Sequence, residues 1–400
     1  MKYIALLTFI FLLVVSCTPR TDSSFPATPA VTLSISPTQA FTPTPPPSPT
    51  PSATPSPTLT PTSTATPEPK AVISPDNVAQ LKTVLTVENR YGSPHAMFSP
   101  DGRLLVAKTS PFGEGNKSVS KLFFWNLETL QEASPLETAD RIFFTHLAFD
   151  VDGQSILVGT WPNTSQAITL LRLSDGQHIL DIPVPRESLG RIVRRIAPSP
   201  DGQWIAIGFT DGQLEIYARK DGQRVFQEKI KSARNVSIIE ALAFSPDSRF
   251  LAAGGAEKTI YLWSTSDWKM LTTFAPGKGT IFDLAFSPDG SFLAAAEGGS
   301  DGRVSLWNVQ TPEAKAPVAS FPFPSFSVEF SPDGSLLVAG GANGHLSFWR
   351  TDTYEQVARL PAHKTRIEAL DFSPDGQFLA SGSATTSRPY ELKLWRIPAP

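Results

Sequence analysis

Phe98-Ser99-Pro100-Asp101-Gly102 opens a series of seven related pentapeptides, and the reading of that series decides the fold. Intact copies begin at Phe286, Phe330 and Phe372. Pro198-Ser199-Pro200-Asp201-Gly202 and Phe244-Ser245-Pro246-Asp247-Ser248 each change one residue, and Phe149-Asp150-Val151-Asp152-Gly153 is degenerate. The first residues lie 51, 49, 46, 42, 44 and 42 positions apart. Ser, Pro, Asp and Gly suit the four successive positions of a type I turn, because Pro presets φ at the second and Gly tolerates the close of the turn. Short apolar runs flank each copy, Leu284-Ala285-Phe286 before and Phe292-Leu293-Ala294-Ala295 after, so the pentapeptide reads as the turn of a β-hairpin.

Outward from the hairpin lies a second column: Trp125, Leu171, Tyr217, Trp263, Trp307, Trp349 and Trp395, spaced 46, 46, 46, 44, 42 and 46. It sits in a third strand that alternates as strands do, as in Val304-Ser305-Leu306-Trp307. A fourth strand follows a further turn, as in Gln356-Val357-Ala358-Arg359-Leu360. Four strands in roughly 40–50 residues, repeated seven times, predict an all-β, seven-bladed β-propeller of four-stranded blades. The last unit stops at its third strand. Leu81-Lys82-Thr83-Val84-Leu85-Thr86-Val87, ahead of the first unit, is expected to supply the missing strand and close the ring.

Residues 1–70 read differently. Lys2 precedes an apolar run from Tyr3 to Val15, too short to span a bilayer but suited to a signal peptide. Val14-Val15-Ser16-Cys17 resembles the lipobox of bacterial lipoproteins. That resemblance implies a signal peptide over 1–16, cleavage before Cys17, and attachment of diacylglyceryl and fatty acyl groups such as palmitate at that residue. Cys17 is the sole cysteine of the chain, which excludes an intrachain disulfide or a multi-cysteine metal site. Residues 18–70 hold 15 Pro and 14 Thr in 53 positions, a composition that cannot bury enough apolar surface to order itself. The segment 17–70 is therefore expected to be a lipidated, disordered linker, reaching roughly 160 Å if extended at about 3.1 Å per residue. The propeller is expected over 71–400.

The net charge is −3, from 34 basic and 37 acidic residues. That balance argues against nucleic acid as a partner. No phosphate-binding loop and no H-E-x-x-H pattern occurs. Gly298-Gly299-Ser300-Asp301-Gly302 matches G-x-S-x-G by letters, but it falls between two strands rather than between a strand and a helix, so it reads as a hairpin turn. Asp150-Val151-Asp152-Gly153 lacks the remainder of a calcium loop and reads as the drifted turn of blade two. No enzyme activity, cofactor or metal is expected. His95, His146, Arg195 and Asp283 share one register on the innermost strands, where a polar ring could face the axial channel.

The seven units resemble the WD-repeat β-propeller family over about residues 78–397. Their Gly-His and Trp-Asp dipeptides are almost absent; Ala362-His363 is the nearest match, and Asn, Arg or Ser follows the tryptophans. The family's hydrogen-bonded tetrad is thus mostly missing from the sequence. The pentapeptide also occurs in the Tol-system periplasmic propeller and in the propellers of prolyl peptidases. The resemblance implies that loops joining the fourth strand to the next first strand, and the second to the third, emerge on one face. On that face the sequence places Arg191, Arg194, Arg234, Lys364 and Arg366, with Trp161, Phe209 and Tyr390 among exposed aromatics. Trp161, Arg191, Arg194, Arg234, Lys364, Arg366 and Tyr390 form the candidate partner-binding set, since Trp, Tyr and Arg favour interface anchors. The expected function is a monomeric, lipid-anchored extracytoplasmic interaction module for a protein or anionic polymer. The alternatives are a Tol-like assembly or transport accessory, or a small-ligand or enzyme site in the axial channel.

Overall fold

A computed structural model of the chain describes residues 71–89, 92–109, 121–137, 143–161, 167–183, 192–230, 237–383 and 390–398. The signal segment, Cys17 and the Pro/Thr-rich linker lie outside the described residues. Within them, seven four-stranded antiparallel sheets follow one another as blades. Six blades take four strands consecutive in sequence. The seventh takes Ile367–Phe372, Leu379–Ser383 and Tyr390–Arg396 from the C-terminal end and Lys82–Asn89 from the N-terminal side. The closing strand pairs from Lys82 opposite Arg396 to Asn89 opposite Tyr390, with a bulge between Thr83 and Leu85. Closure by the N-terminal strand is thus as expected, and it leaves no blade with an open inner seam.

The core is divided. Seven apolar clusters occupy the seven junctions between neighbouring blades. The two columns of the sequence meet there. Phe286 and Trp307 of blade five pack with Leu262 and Phe274 of blade four, and Phe372 and Trp395 of blade seven with Leu346 and Phe348 of blade six. Trp263 and Trp307 are fully buried. Blades approach closely at their inner edges: a β-carbon on Gly254 would lie 2.8 Å from Cγ2 of Ile281, which is why that site holds glycine.

The pentapeptide turns form a second ring. In six of them the Ser hydroxyl donates to the Asp carboxylate at 2.5–2.6 Å. The same carboxylate accepts the backbone N–H two residues on, as from Arg103 and Ser291. Gly102 and Gly290 take φ of +70°, a conformation that favours glycine. Each turn also touches the next around the circle. Pro374 lies against Gly102, Pro100 against Gly153, Val151 against Gly202, Pro246 against Gly290, Pro288 against Gly334 and Pro332 against Gly376. Where blade four has Ser248 in place of glycine, at φ +59°, its hydroxyl accepts the Asp201 N–H from blade three at 2.9 Å. In blade two, Asp150 replaces the turn serine, is fully buried, and is held by Arg219 of blade three through Nε at 2.8 Å. The drifted turn is therefore a structural ion pair.

Candidate functional site

The opposite face is organised by one repeated irregularity. Six innermost strands carry a register shift at the same place: between Phe144 and His146, Val193 and Arg195, Ile239 and Ala241, Ile281 and Asp283, Ser325 and Ser327, and Ile367 and Ala369. The bulged residues are Thr145, Arg194, Glu240, Phe282, Phe326 and Glu368. A bulge leaves its extra residue outside the ladder and re-aims its side chain. Here it delivers six side chains of four kinds, Thr, Arg, Glu and Phe, to the mouth of the channel.

Some of those side chains meet across neighbouring blades. Arg194 Nε donates to Glu240 Oε2 at 2.5 Å. The rings of Phe282 and Phe326 lie 4.4 Å apart between centroids, tilted by 34°. The Arg366 guanidinium stands 5.1 Å over Phe326, and its Nε donates to Glu368 at 2.5 Å. Arg194 and Arg366 keep 47% and 46% of their side chains exposed, so these ion pairs are worth at most about 1 kcal/mol each and leave the guanidinium edges reachable.

One step deeper, the register noted in the sequence gives His95, His146, Arg195 and Asp283. Of these, Arg195 reaches across the axis, because its hydrogen bond skips a blade. An Arg195 amino group donates to Phe282 O at 3.3 Å, from blade three to blade five. The His95 and His146 rings are 5.9 Å apart. Part of this tier stitches blades together: His146 Nδ1 accepts the Ile196 N–H at 3.3 Å, and Asp283 accepts the Val328 N–H at 3.1 Å and the Ser327 hydroxyl at 2.9 Å. Burial, then the Arg195 charge, holds both histidines well below their ordinary range. Burial raises Asp283 while Arg195 opposes it. Among the described residues no group of three or more His, Cys, Asp or Glu is placed to hold a metal ion.

Of the sequence-derived set, the structure brings Arg194 and Arg366 to this mouth. Lys364 is exposed in the loop before Ile367, and Tyr390 begins the third strand of blade seven, which starts on the same face. Trp161 closes the strand Ser155–Trp161 and pairs with Phe143, rather than lying in a loop. Arg191 and Arg234 lie outside the described residues. Phe209 corrects the sequence reading: it ends the strand Trp204–Phe209 and is fully buried at the blade two–three junction, so it is not a surface aromatic. The sequence reading missed Phe282, Phe326 and Glu368. All lie four residues before the pentapeptide's first residue, but the bulge breaks the alternation that would have pointed to them.

Blade seven holds an arrangement that imitates a nucleophile triad. Ser381 Oγ is 2.7 Å from His363 Nε2, and His363 Nδ1 is 2.7 Å from Glu391. Trp395 Nε1 also donates to Ser381 Oγ at 2.8 Å, and Ser381 is 1% exposed. A hydroxyl so enclosed cannot meet a substrate, so the four residues act as a clamp between strands. Among the described residues this network is similar to the tetrad that the sequence seemed mostly to lack. In blade four the Trp263 indole instead donates to Glu228 of blade three at 2.8 Å. The Gly298–Gly302 stretch is a turn closed by Gly302 N–H to Gly299 O.

Three family descriptions match parts of the chain: "WD domain, G-beta repeat" over residues 229–264, "Anaphase-promoting complex subunit 4 WD40 domain" over 161–234, and "Eukaryotic translation initiation factor eIF2A" over 251–395. The chain is 39% identical over 83 residues to eukaryotic translation initiation factor 3 subunit I of Aspergillus terreus, covering 21% of this chain and 24% of the relative. It is 27% identical over 155 residues to a WD repeat-containing protein of Synechocystis, covering 38% of this chain and 41% of that one. The chain thus spans about a quarter and about two fifths of these relatives' lengths. A chain in the crystal structure of a mitotic checkpoint complex superposes with a TM-score of 0.65 at 16% identity, over 80% of this chain and 96% of that one, which shows a shared fold. The chain is a seven-bladed β-propeller in which residues 161–234 and 229–264 are similar to WD40 repeats.

Proposed function

We propose that the chain is a non-enzymatic, lipid-anchored extracytoplasmic propeller that presents its channel-mouth face to a protein partner. One observation carries this reading: the chain joins the propeller on the turn face. The Ile73 N–H donates to Gly376 O at 2.9 Å, within the Ser373–Gly376 turn of blade seven. Ile73, Val78 and Leu81 are buried in the cluster between blades six and seven. Residues 71–81 are thus held on the turn side, opposite the face with Arg194, Phe282, Phe326, Lys364 and Arg366. The mouth offers half-exposed guanidinium groups beside an aromatic pair, which suits a protein partner with acidic and apolar groups. The named relatives agree in kind, being a translation-factor subunit and a member of a checkpoint complex.

The anchor is tested by fractionating membranes from cells making the wild type and Cys17→Ser, with mass spectrometry of the mature N-terminus. Diacylglyceryl-modified Cys17 on a membrane-bound wild type, and release of the variant, is the expected result. An unmodified, soluble wild type defeats the anchored reading. Partner capture is tested separately with Lys364→Glu and Arg366→Glu, and it should weaken as salt rises, because the Debye length falls from about 10 Å at 0.1 M to about 3 Å at 1 M.

A further inference from the structure

A second bulge recurs on the outermost strands. In blades two, three, four and six the register shifts at one place, and the residue left over is Ile179, Val225, Leu271 and Val357 in turn. The bulge at the channel mouth carries four kinds of residue; this one carries an aliphatic side chain each time. It stands at the strand's first turn-side positions, because the preceding His178, Arg224, Met270 and Gln356 pair with Leu171, Tyr217, Trp263 and Trp349. In blade six the position is covered: Val357 packs in the cluster that holds Ile73, Val78 and Leu81. In blades two to four it is open among the described residues, and Ile179, Val225 and Leu271 keep 47%, 45% and 46% of their surface exposed. Met270 and Val318, at the same end of the outer strands of blades four and five, are exposed too. The remaining exposed large apolar side chains among the described residues, Val72 and Val151, lie against Gly376 and Gly202 of the turns. All seven are therefore on the turn side, and none is at the mouth.

A side chain that keeps nearly half its surface in water adds little to the fold. An aliphatic residue at one register in three consecutive blades therefore answers to something outside the chain. We propose that the outer rim of blades two to four rests on a lipid surface, with Ile179, Val225 and Leu271 entering the headgroup boundary. A flat surface meets neighbouring blades alike and asks the same residue of each, whereas a folded partner meets them differently. The flanking charges are paired locally: Arg172 with Asp175 at 3.0 Å, Arg224 with Glu215 at 3.2 Å and Lys269 with Asp267 at 2.9 Å. The rim thus offers apolar contact with little net field, which suits a zwitterionic bilayer. The rest of the chain, residues 1–70, reaches the propeller through Ile73, on the same side as these side chains. The inference rests on the anchored reading and deepens it, since a few half-exposed side chains hold a surface weakly and a tether supplies the effective concentration that makes weak contact count. The 53 residues from 18 to 70 are long enough to hold the propeller clear of the membrane, so an anchor alone does not impose this contact.

The test takes the full chain, purified from membranes, into phosphatidylcholine vesicles that carry a photoactivatable phosphatidylcholine. Flotation of the vesicles reads the anchor, and the map of lipid adducts after irradiation and digestion reads the rim. Adducts concentrated at Ile179, Val225 and Leu271, and scarce at Lys364, are expected. Val225→Glu with Leu271→Glu should lose the adducts of all three segments while the chain still floats and keeps its melting temperature. If that variant does not fold, Val225→Thr with Leu271→Gln takes its place. Flotation without rim adducts overturns this inference and leaves the anchor standing, whereas failure to float removes both. Adducts spread evenly over the two faces overturn it, as do rim-to-rim crosslinks between two copies with no lipid adduct.

Discussion

The two faces of the propeller are built from the same seven units in opposite ways. On the turn face the units agree: Ser, Pro, Asp and Gly recur, and each turn rests on its neighbour until the circle closes. At the channel mouth the units disagree: the same bulge delivers Thr145, Arg194, Glu240, Phe282, Phe326 and Glu368, no two adjacent blades alike except the phenylalanine pair. Repetition serves the fold, since identical junctions need identical turns. Departure from repetition, at a position the fold holds constant, is where recognition of something outside the fold can be encoded. The turn face repeats one set of contacts, whereas the mouth sets half-exposed guanidinium groups beside an aromatic pair.

The largest expected effect breaks the ring on which both faces depend. Deleting residues 78–88 removes the closing strand and the buried Val78 and Leu81, so the seventh blade gains an open edge and soluble aggregates should appear in size-exclusion chromatography. A monomer with the wild-type melting temperature would show that closure is not needed.

Asp371→Asn tests the channel. The folded pKa of Asp371, about 7, lies above its ordinary value of 3.8. The fold therefore favours the protonated form. That contribution is fully present below about pH 4 and is lost as pH rises through about 7. The asparagine keeps an acceptor for the Phe98 N–H and cannot ionise. It should leave stability at pH 4 nearly unchanged and raise it at pH 8 by on the order of 2 kcal/mol, read by denaturant titration at the two pH values. Equal effects at both pH values would place Asp371 outside the charged channel.

Gly290→Val should cost roughly 1–2 kcal/mol, because a β-branched side chain at φ +70° is strained whatever space surrounds it. The mouth should respond least. Arg194→Ala loses one half-exposed ion pair and should change stability by less than about 1 kcal/mol. If Arg194→Ala proves more damaging than Gly290→Val, the contrast between a structural face and a binding face is wrong.

Much of the fold could be read because turn chemistry is local. Ser245-Pro246-Asp247 declares a hairpin without reference to anything distant, and Trp263 or Trp307 marks the third strand by its own size. The closing strand was readable because Leu81–Val87 had no other partner in the count of strands. The candidate site was less readable. Alternation places His95, His146, Arg195 and Asp283 on one register, but one inserted residue ahead of them moves Phe282, Phe326 and Glu368 out of phase, and bulges carry no residue signature in these strands. Phe209 misled because a residue beside a loop looks exposed until the neighbouring blade is in place. Asp150 and Arg219 lie in different blades, and a pair separated by 69 residues leaves no local trace.

The account rests on the mouth, not the turns, meeting a partner, and site-specific photo-crosslinking tests that most directly. A photoreactive phenylalanine analogue placed at Lys364 on the mouth, or at Gln377 on the turn face, is irradiated in cells making the full chain. A discrete adduct from position 364, lost when Arg194 and Arg366 are both changed to glutamate, with none from position 377, is the predicted result. An adduct from position 377 alone would contradict it and transfer the binding role to the turn face.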